Sequence, residues 1–372
     1  MKNKILLFAF LLISITGLSQ NYEFETVIDL DATDVISQGR TGTCWSFSTS
    51  SFLESEIIRK TGKRIDLSEM YSVRHTYPKK AWNYVMRQGH AQFSEGGLAH
   101  DVINSVSDFG VVPNSAYTGL DDAQNTHNHA KMVDSLKVVL NAYIKSPDKN
   151  ETNWSIEVQQ ILDSHLGNNI TSFNHEGIQY TPQSFLEMTT LNPEDYITIT
   201  SFTQAPYYSE FILNIPDNFS NGSFYNVPLD NLMTIIDHAL ENGYSIELDC
   251  DVSEKTFSSK YGIAVIPEDE SNNIEALKSI QPEKEITQEF RQQEFENYNT
   301  TDDHLMHITG VLKDQNGAVY YKVKNSWGNN SERVSNDGYI YMSESYMRLK
   351  TISIMIHKDA LTTEIASKLH LK

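Results

Sequence analysis

Residues 38–47 read Gln-Gly-Arg-Thr-Gly-Thr-Cys-Trp-Ser-Phe, and this stretch determines how the rest of the chain is interpreted. Two glycines before Cys44 predict a tight turn, and apolar residues at helical spacing follow it. The thiol therefore lies in the first turn of a predicted helix, where about half a positive charge lowers a thiol pKa toward the thiolate form. A lone cysteine is more often a buried and inert thiol. This placement instead favours Cys44 as a nucleophile.

A cysteine nucleophile needs a base, and the base needs a group that orients it. His304 lies where a polar loop meets a predicted strand, and Asn325 lies at the end of another. His307 competes with His304, but strand residues three apart point to opposite faces, so only one of them can face Cys44. The same alternation opposes a metal site built on both histidines, because ligands must converge on one ion.

His127 and His129 are two residues apart in a polar segment that offers no acidic or cysteine ligand to complete a metal site. We expect both to be solvated, and we predict no metal site and no cofactor.

Three separated motifs resemble those of papain-type cysteine peptidases. The run 38–47 resembles the motif around the family's cysteine, including the six-residue step from Gln38 to Cys44. Residues 325–328, Asn-Ser-Trp-Gly, resemble its asparagine–tryptophan motif, and residues 67–69 resemble the start of its second helix. The resemblance implies an α+β, papain-like two-lobed fold, with a helical lobe and a β-barrel-like lobe.

Within that family, the chain most resembles the bleomycin hydrolase and bacterial aminopeptidase C branch. The resemblance covers most of residues 36–120 and 200–360. The segments that carry it are Gly96-Gly97, residues 110–113, 224–229 and 250–252, and the histidine segment that begins at His304.

The resemblance implies a role for each matching residue. Cys44 attacks the scissile carbonyl, and His304 takes the thiol proton and passes it to the leaving amine. Asn325 orients the His304 ring, and Trp327 shields that contact from water. The Gln38 side-chain amide and the Cys44 backbone N–H form the oxyanion hole.

Further positions have supporting or binding roles in this interpretation. Trp45 and Trp327 are the supporting aromatic residues of the two motifs. Gly96 and Gly97 are the candidate substrate-binding residues, because glycines let a peptide backbone approach closely. Cys250 lies in an apolar strand, and we expect a packed thiol that forms no disulfide with Cys44.

The implied activity is hydrolysis of peptide bonds through a thioester, with an aminopeptidase of bleomycin hydrolase type as the leading prediction. In that branch the C-terminal tail enters the cleft and its carboxylate pairs with the substrate amine. The matching tail is short here, so an endopeptidase or a dipeptidyl peptidase is the close alternative.

Two further alternatives remain. The same catalytic residues could serve an amidase or an acyl transferase, or the chain could be a non-catalytic binding homologue. The branch's hexamer makes a homo-oligomer possible, but the short tail weakens that expectation.

Composition limits the partners. The 372 residues carry a formal net charge of −20, and 39% of them are hydrophobic, which is typical of a globular protein. A chain this acidic lacks the basic surface that nucleic acids and anionic membranes require, so we expect peptide substrates and neither of those partners.

The first residues have the features of a signal peptide. Lys2 and Lys4 precede an apolar run over residues 5–15, and small residues follow at 17–19. The run is shorter than the roughly 20 residues that span a bilayer, so we favour cleavage over an uncleaved anchor. This predicts removal of residues 1–19 and export to the periplasm or the medium.

The remaining chain, 20–372, is predicted to be one peptidase domain. Its helical lobe covers about residues 44–200, including a helical insert at 121–195. The β-rich lobe covers about 200–360, with a lid-like excursion at 266–303. The pattern predicts helices at 45–64, 66–77, 97–109, 131–144, 154–166 and 228–242, and strands at 244–252, 307–312, 319–324 and 338–342.

Overall fold

The computed structural model describes residues 21–120, 125–146, 148 and 153–371, and the predicted signal peptide lies outside them. Helices of this part are α1 Cys44–Thr61, α2 Glu69–Met86, α3 Ala99–Phe109, α4 Ala130–Lys145, α5 Trp154–Leu166, α6 Pro182–Thr189, α7 Leu229–Glu241, α8 Asn273–Ala276, α9 Gln288–Glu296, α10 Glu344–Lys350 and α11 Thr363–Lys368. Its strands are β1 Phe24–Asp29, β2 Phe173–His175, β3 Ile178–Tyr180, β4 Tyr196–Thr200, β5 Ser209–Ile212, β6 Ser223–Asn226, β7 Ile246–Cys250, β8 Phe257–Ser258, β9 Ile263–Ala264, β10 His304–Asp314, β11 Val319–Lys324, β12 Tyr339–Ser343 and β13 Thr351–His357. None of the helices in these ranges is both long and apolar enough to cross a membrane.

Helix α1 lies at the centre of the fold. Every side chain from Cys44 to Ile57 is buried, and the helix packs against β10 and β7. Serine side chains of α1 form hydrogen bonds to neighbouring elements: Ser48 Oγ donates to the Met306 carbonyl at 2.5 Å, and Ser46 Oγ donates to the Glu69 carbonyl at 2.8 Å. The helix ends at Thr61, three residues before the predicted end, and Gly62 after it adopts a left-handed conformation (φ 71°) that favours glycine.

Helix α2 differs from the prediction at both ends. Asp66 does not cap it; instead Ser68 Oγ accepts a hydrogen bond from the Tyr71 N–H at 3.1 Å. The helix also continues past Pro78 to Met86. A proline removes only one backbone hydrogen bond, and burial of Ala81 in the core supports the turns that follow.

Most strands form one mixed sheet. In the described residues it has eleven strands, in the order β5-β6-β4-β13-β7-β10-β11-β12-β9-β8, with β1 paired to β10; β2 and β3 form a separate hairpin. Strand β13 was not predicted. Its sequence alternates Thr351, Ser353 and His357 with three isoleucines, which is the pattern of a strand and was overlooked, although all seven residues are buried.

Two hydrophobic clusters flank this arrangement. One is built mainly from helices α1–α6, and the other lies between the sheet and α7. The α+β fold class is therefore confirmed. The boundaries proposed for the two lobes stay a prediction.

The predicted lid, residues 266–303, is packed in this structure. Arg291 of α9 is fully buried and donates to the carbonyls of Ser201 and Arg348, both at 2.9 Å. The Phe295 ring lies 4.2 Å from that of Phe202, centroid to centroid. These contacts attach α9 to the end of β4 and to α10, and a gating role for the segment stays a prediction.

Candidate active site

The turn before α1 exposes the start of the helix. Gly39 adopts φ 71°, and a Cβ there would collide with His127 and Thr126, so the turn requires glycine. Thr43 precedes the helix without capping it through its side chain. Among the described residues, no acceptor lies within hydrogen-bonding distance of the Cys44 N–H. This N–H is therefore available to a ligand, and the Cys44 side chain beside it is 8% exposed.

Strand pairing brings His304 and Asn325 together. His304 begins β10, Asn325 follows β11, and these strands are antiparallel, so the start of one lies beside the end of the other. His304 Nε2 lies 2.9 Å from Asn325 Oδ1, and both side chains are buried. An amide oxygen can only accept, so Nε2 carries the proton and Nδ1 is left as the acceptor.

Trp327 covers this pair. Its ring centroid lies 4.8 Å from that of His304, and the ring itself remains 37% exposed. Trp327 therefore stands between the histidine ring and solvent.

Gln38 is joined to the same loop. Its backbone N–H donates to the Ser326 carbonyl at 2.9 Å, and its Oε1 accepts from Ser326 Oγ at 2.6 Å. Its Nε2 donates to the Thr41 carbonyl at 2.6 Å. An amide nitrogen has two hydrogens, so one N–H remains for a further acceptor.

The charges around Cys44 oppose the thiolate. Burial raises the pKa of the thiol to about 12; the adjacent backbone N–H of Leu305 lowers it, and the charges of Asp302, Asp217 and Asp249 raise it further. Burial also lowers the pKa of His304 to about 4, against the hydrogen bond from Asn325, which raises it. Burial therefore favours the uncharged form of both groups. The helix N-terminus alone led us to expect a low thiol pKa, and the buried surroundings outweigh it.

The two candidate binding glycines pack against other side chains. A Cβ at Gly97 would lie 3.0–3.3 Å from the Trp45 ring, and a Cβ at Gly96 would collide with the Asp217 carboxylate. Trp45 Nε1 also donates to the Glu95 carbonyl at 3.0 Å. Close packing therefore already requires glycine at both positions, and their contact with substrate stays a prediction.

The remaining histidines and Cys250 lie apart from this pair. His307 Nδ1 lies 2.9 Å from Ser51 Oγ, so its contact is with α1 rather than with Asn325. Cys250 is a buried free thiol, opposite His304 across the β7–β10 ladder.

The expectation that His127 and His129 are solvated is wrong: His129 is buried, His127 is half-buried, and burial lowers the pKa of His129 to about 3. A short sequence of polar residues gives no sign that neighbouring segments will cover it.

An acidic cluster with two buried members, Glu54 and Glu69, and one exposed member, Asp66, was not anticipated. The carboxylate oxygens of Glu54, Glu69 and Asp66 lie within 4.8 Å of one another, a spacing that could hold a metal ion. They line a cavity of about 280 Å³ that Lys324 also lines. Glu54 already accepts from the Leu67 N–H at 2.7 Å and from the Thr33 hydroxyl, and burial raises its pKa to about 7. These features fit a hydrogen-bonded network around Lys324 better than a metal site.

Comparison with known proteins places the chain in a family. A sequence model described as "Peptidase C1-like family" matches residues 167–372, more than half of the chain. The chain belongs to the peptidase C1-like family. A second model, "Papain family cysteine protease", matches residues 26–172 of this peptidase. The prediction of a papain-like cysteine peptidase is therefore confirmed.

Curated relatives resemble this peptidase over most of its length. Aminopeptidase C of Listeria monocytogenes is 24% identical, covering 90% of this chain and 82% of the relative. Aminopeptidase G of Lactobacillus delbrueckii subsp. lactis is 23% identical, covering 90% and 83%. The mitochondrial cysteine proteinase 1 of Saccharomyces cerevisiae (strain YJM789) is 21% identical, covering 94% and 79%.

A solved structure supports the fold. PepW from Lactobacillus rhamnosis HN001 superposes with a TM-score of 0.72 at 18% identity, covering 93% of this peptidase and 84% of PepW. The papain-like fold expected from the sequence is confirmed.

Proposed function

We propose that this peptidase is an aminopeptidase that acts through a thioester on Cys44. The observation that carries the proposal is the buried contact between His304 Nε2 and Asn325 Oδ1, because it fixes the histidine tautomer in which Nδ1 can accept a proton. That base is held at the start of β10, the strand that packs against α1 and its Cys44.

The proposed reaction has two steps. Cys44 Sγ attacks the scissile carbonyl carbon while His304 Nδ1 takes the thiol proton, and the same proton then passes to the leaving amine as the C–N bond breaks. A water molecule next attacks the thioester, gives a proton to His304, and releases the carboxylic acid and the thiol. The Cys44 N–H and the second Gln38 amide hydrogen would stabilise the oxyanion in both steps.

Burial favours the uncharged thiol and imidazole before substrate binds, so proton transfer would accompany the attack. Asn325 supports this transfer, since an acceptor on Nε2 favours the imidazolium that forms.

Two observations favour an aminopeptidase. The relatives from Listeria and Lactobacillus carry that name. Carboxylates also surround the thiol, and a free peptide N-terminus is a cation. Helix α11 follows β13 and buries Ile365 in the cluster beside α7, so this helix is packed against the β-rich lobe.

The function is tested by a pair of fluorogenic amides of one amino acid, one with a free amine and one acetylated. Wild type should cleave the free form, Cys44→Ala should cleave neither, and iodoacetamide should abolish activity by alkylating Cys44. Cleavage of the acetylated form at a similar rate would favour the endopeptidase alternative. Full activity after stoichiometric alkylation of Cys44 would rule out the thioester mechanism.

We also propose that residues 1–19 direct export and are then removed. The support is the charged start and the short apolar run of the sequence. N-terminal sequencing of the protein recovered from outside the cytoplasm should begin near Gln20. An intact Met1 in that fraction would contradict cleavage.

A further inference from the structure

Asp217 is an oriented carboxylate with one oxygen unused. It lies in the loop after β5, where Gln92 Nε2 donates to its Oδ1 at 2.7 Å and Ser94 Oγ lies 3.5 Å from the same oxygen. Among the described residues, no donor lies within hydrogen-bonding distance of Oδ2. The carboxylate faces Gly96, where any Cβ would collide with it. Gly96 thus leaves room for Asp217, the next residue Gly97 packs against the Trp45 ring, and the charge of Asp217 acts on the Cys44 thiol.

A second pair of carboxyl groups also acts on the thiol. Asp302 precedes His304 by two residues, and its side chain is hydrogen-bonded to that of Asp249. Asp249 is buried and pairs across the β-ladder with Leu305, whose backbone N–H lies beside the Cys44 sulfur. Because Asp302 and Asp249 are already partners, Asp217 Oδ2 is the acceptor left for a ligand.

The nearby cation does not balance these charges. Lys80 is buried, donates to the Gly96 carbonyl, and is influenced by Asp217, Asp101 and Glu95 together. One ammonium therefore faces three carboxyl groups. Burial raises the pKa of Asp217 and the Lys80 ammonium opposes this, so a second cation beside Asp217 would favour its ionised form further.

The reaction places such a cation close to the sulfur. In a peptide with a free N-terminus, the α-nitrogen of the first residue is two bonds from the carbonyl carbon that Cys44 attacks, at about 2.5 Å. A carboxylate close enough to disfavour the thiolate of Cys44 electrostatically is therefore also close enough to attract this ammonium. Charges that oppose a thiolate in the free enzyme attract the ammonium, and once bound, the ammonium offsets them.

We propose that Asp217, assisted by the charge of Asp302, binds the α-ammonium of the substrate's first residue. This restricts cleavage to free N-termini and removes one residue at a time. The inference rests on the proposed peptidase function, and it names the specificity-determining carboxylates of that site.

A kinetic experiment tests the role of Asp217. Asp217→Asn keeps the shape of the side chain and its acceptor for Gln92 but removes the charge. It should lower kcat/KM for the free-amine amide by about 10- to 100-fold, the range expected for a hydrogen bond to a charged group. Asp302→Asn should lower it less, because Asp302 shares a proton with Asp249. The matched control is Asp108→Asn on α3, which removes an exposed carboxylate and should leave kcat/KM within twofold.

A binding experiment separates this inference from the activity. In a Cys44→Ala background, calorimetry should detect leucinamide but not N-acetyl-leucinamide, and Asp217→Asn should weaken leucinamide binding by the same 10- to 100-fold. Leucinamide binding that is unchanged by Asp217→Asn would overturn the inference even if wild type is an aminopeptidase. Binding that depends on Asp217 would support it even if the amides are not hydrolysed and the proposed function fails.

Two further outcomes would overturn the inference. Wild type could release dipeptides, which would place the bound amine one residue, about 3.8 Å, farther from the thiol. It could also cleave acetylated peptides only after a basic side chain, with Asp217→Asn losing that preference, in which case the carboxylates recognise a side chain instead of the N-terminus. Iodoacetamide should alkylate Cys44 in Asp217→Asn no more slowly than in wild type, which shows that the site is intact.

Discussion

Replacing Asn325 with alanine tests the central contact of the proposed site. The 2.9 Å contact between His304 Nε2 and Asn325 Oδ1 joins two side chains that are 4% and 3% exposed, so water cannot replace the lost acceptor. A buried polar group left without a partner costs about 1–3 kcal/mol. The same free energy biases His304 toward the tautomer with an accepting Nδ1. We therefore expect kcat/KM to fall by about 5- to 150-fold.

The assay is steady-state hydrolysis of the free-amine amide, followed across pH. The contact raises the pKa of His304, so its loss should lower that pKa below its already depressed value near 4. The imidazolium then forms less readily at any pH, and kcat should fall more than KM rises. Asn330→Ala is the matched control, because Asn330 lies in the same loop and its side chain caps only the Glu332 N–H. If Asn325→Ala keeps more than half of the wild-type kcat/KM, Asn325 does not orient the base.

Three other changes have defined outcomes. Gln38→Ala should lower kcat by about 100- to 1000-fold with little change in KM, if its free amide hydrogen binds the oxyanion; an equal rise in KM in the same assay would contradict this. Glu54→Gln should flatten the pH dependence of the free energy of unfolding. The pKa of Glu54 is raised in the folded state, so between pH 4.5 and 7 the folded protein keeps a proton that the unfolded chain has released, and wild type loses up to about 3 kcal/mol as the pH rises through this range. Urea unfolding of both proteins at pH 4.5 and pH 7 measures the difference. Gly97→Ala should lower the free energy of unfolding by about 1–3 kcal/mol, because the new methyl group presses on the Trp45 ring; an unchanged urea midpoint would show that the loop relaxes freely.

The sequence predicted the parts of the site that depend on local pattern. Glycine turns and a helical period indicated the start of α1, and apolar runs indicated β10 and β11. The antiparallel pairing of these two strands then places His304 beside Asn325, which spacing alone does not require. The resemblance to papain-type motifs supplied that step. Without it, the choice between His304 and His307 rested on strand alternation only.

Features that depend on the tertiary environment were missed. The raised pKa of Cys44 results from burial and from carboxylates on β7, in the β5–β6 loop and before β10, which are distant in sequence. The burial of His129 depends on segments that pack over it. In each case, the missing information is which segments become neighbours after folding.

The burial of α1 on all sides has a consequence for folding. The helix that carries Cys44 belongs to the cluster of the helical lobe, and its hydroxyl groups also hold the sheet at Met306. The two lobes therefore cannot separate without exposing α1, which couples them into one cooperative unit. Cys44 lies on the helix whose backbone amides should show the slowest hydrogen exchange. Local unfolding of surface loops therefore leaves the position of Cys44 relative to the strands unchanged.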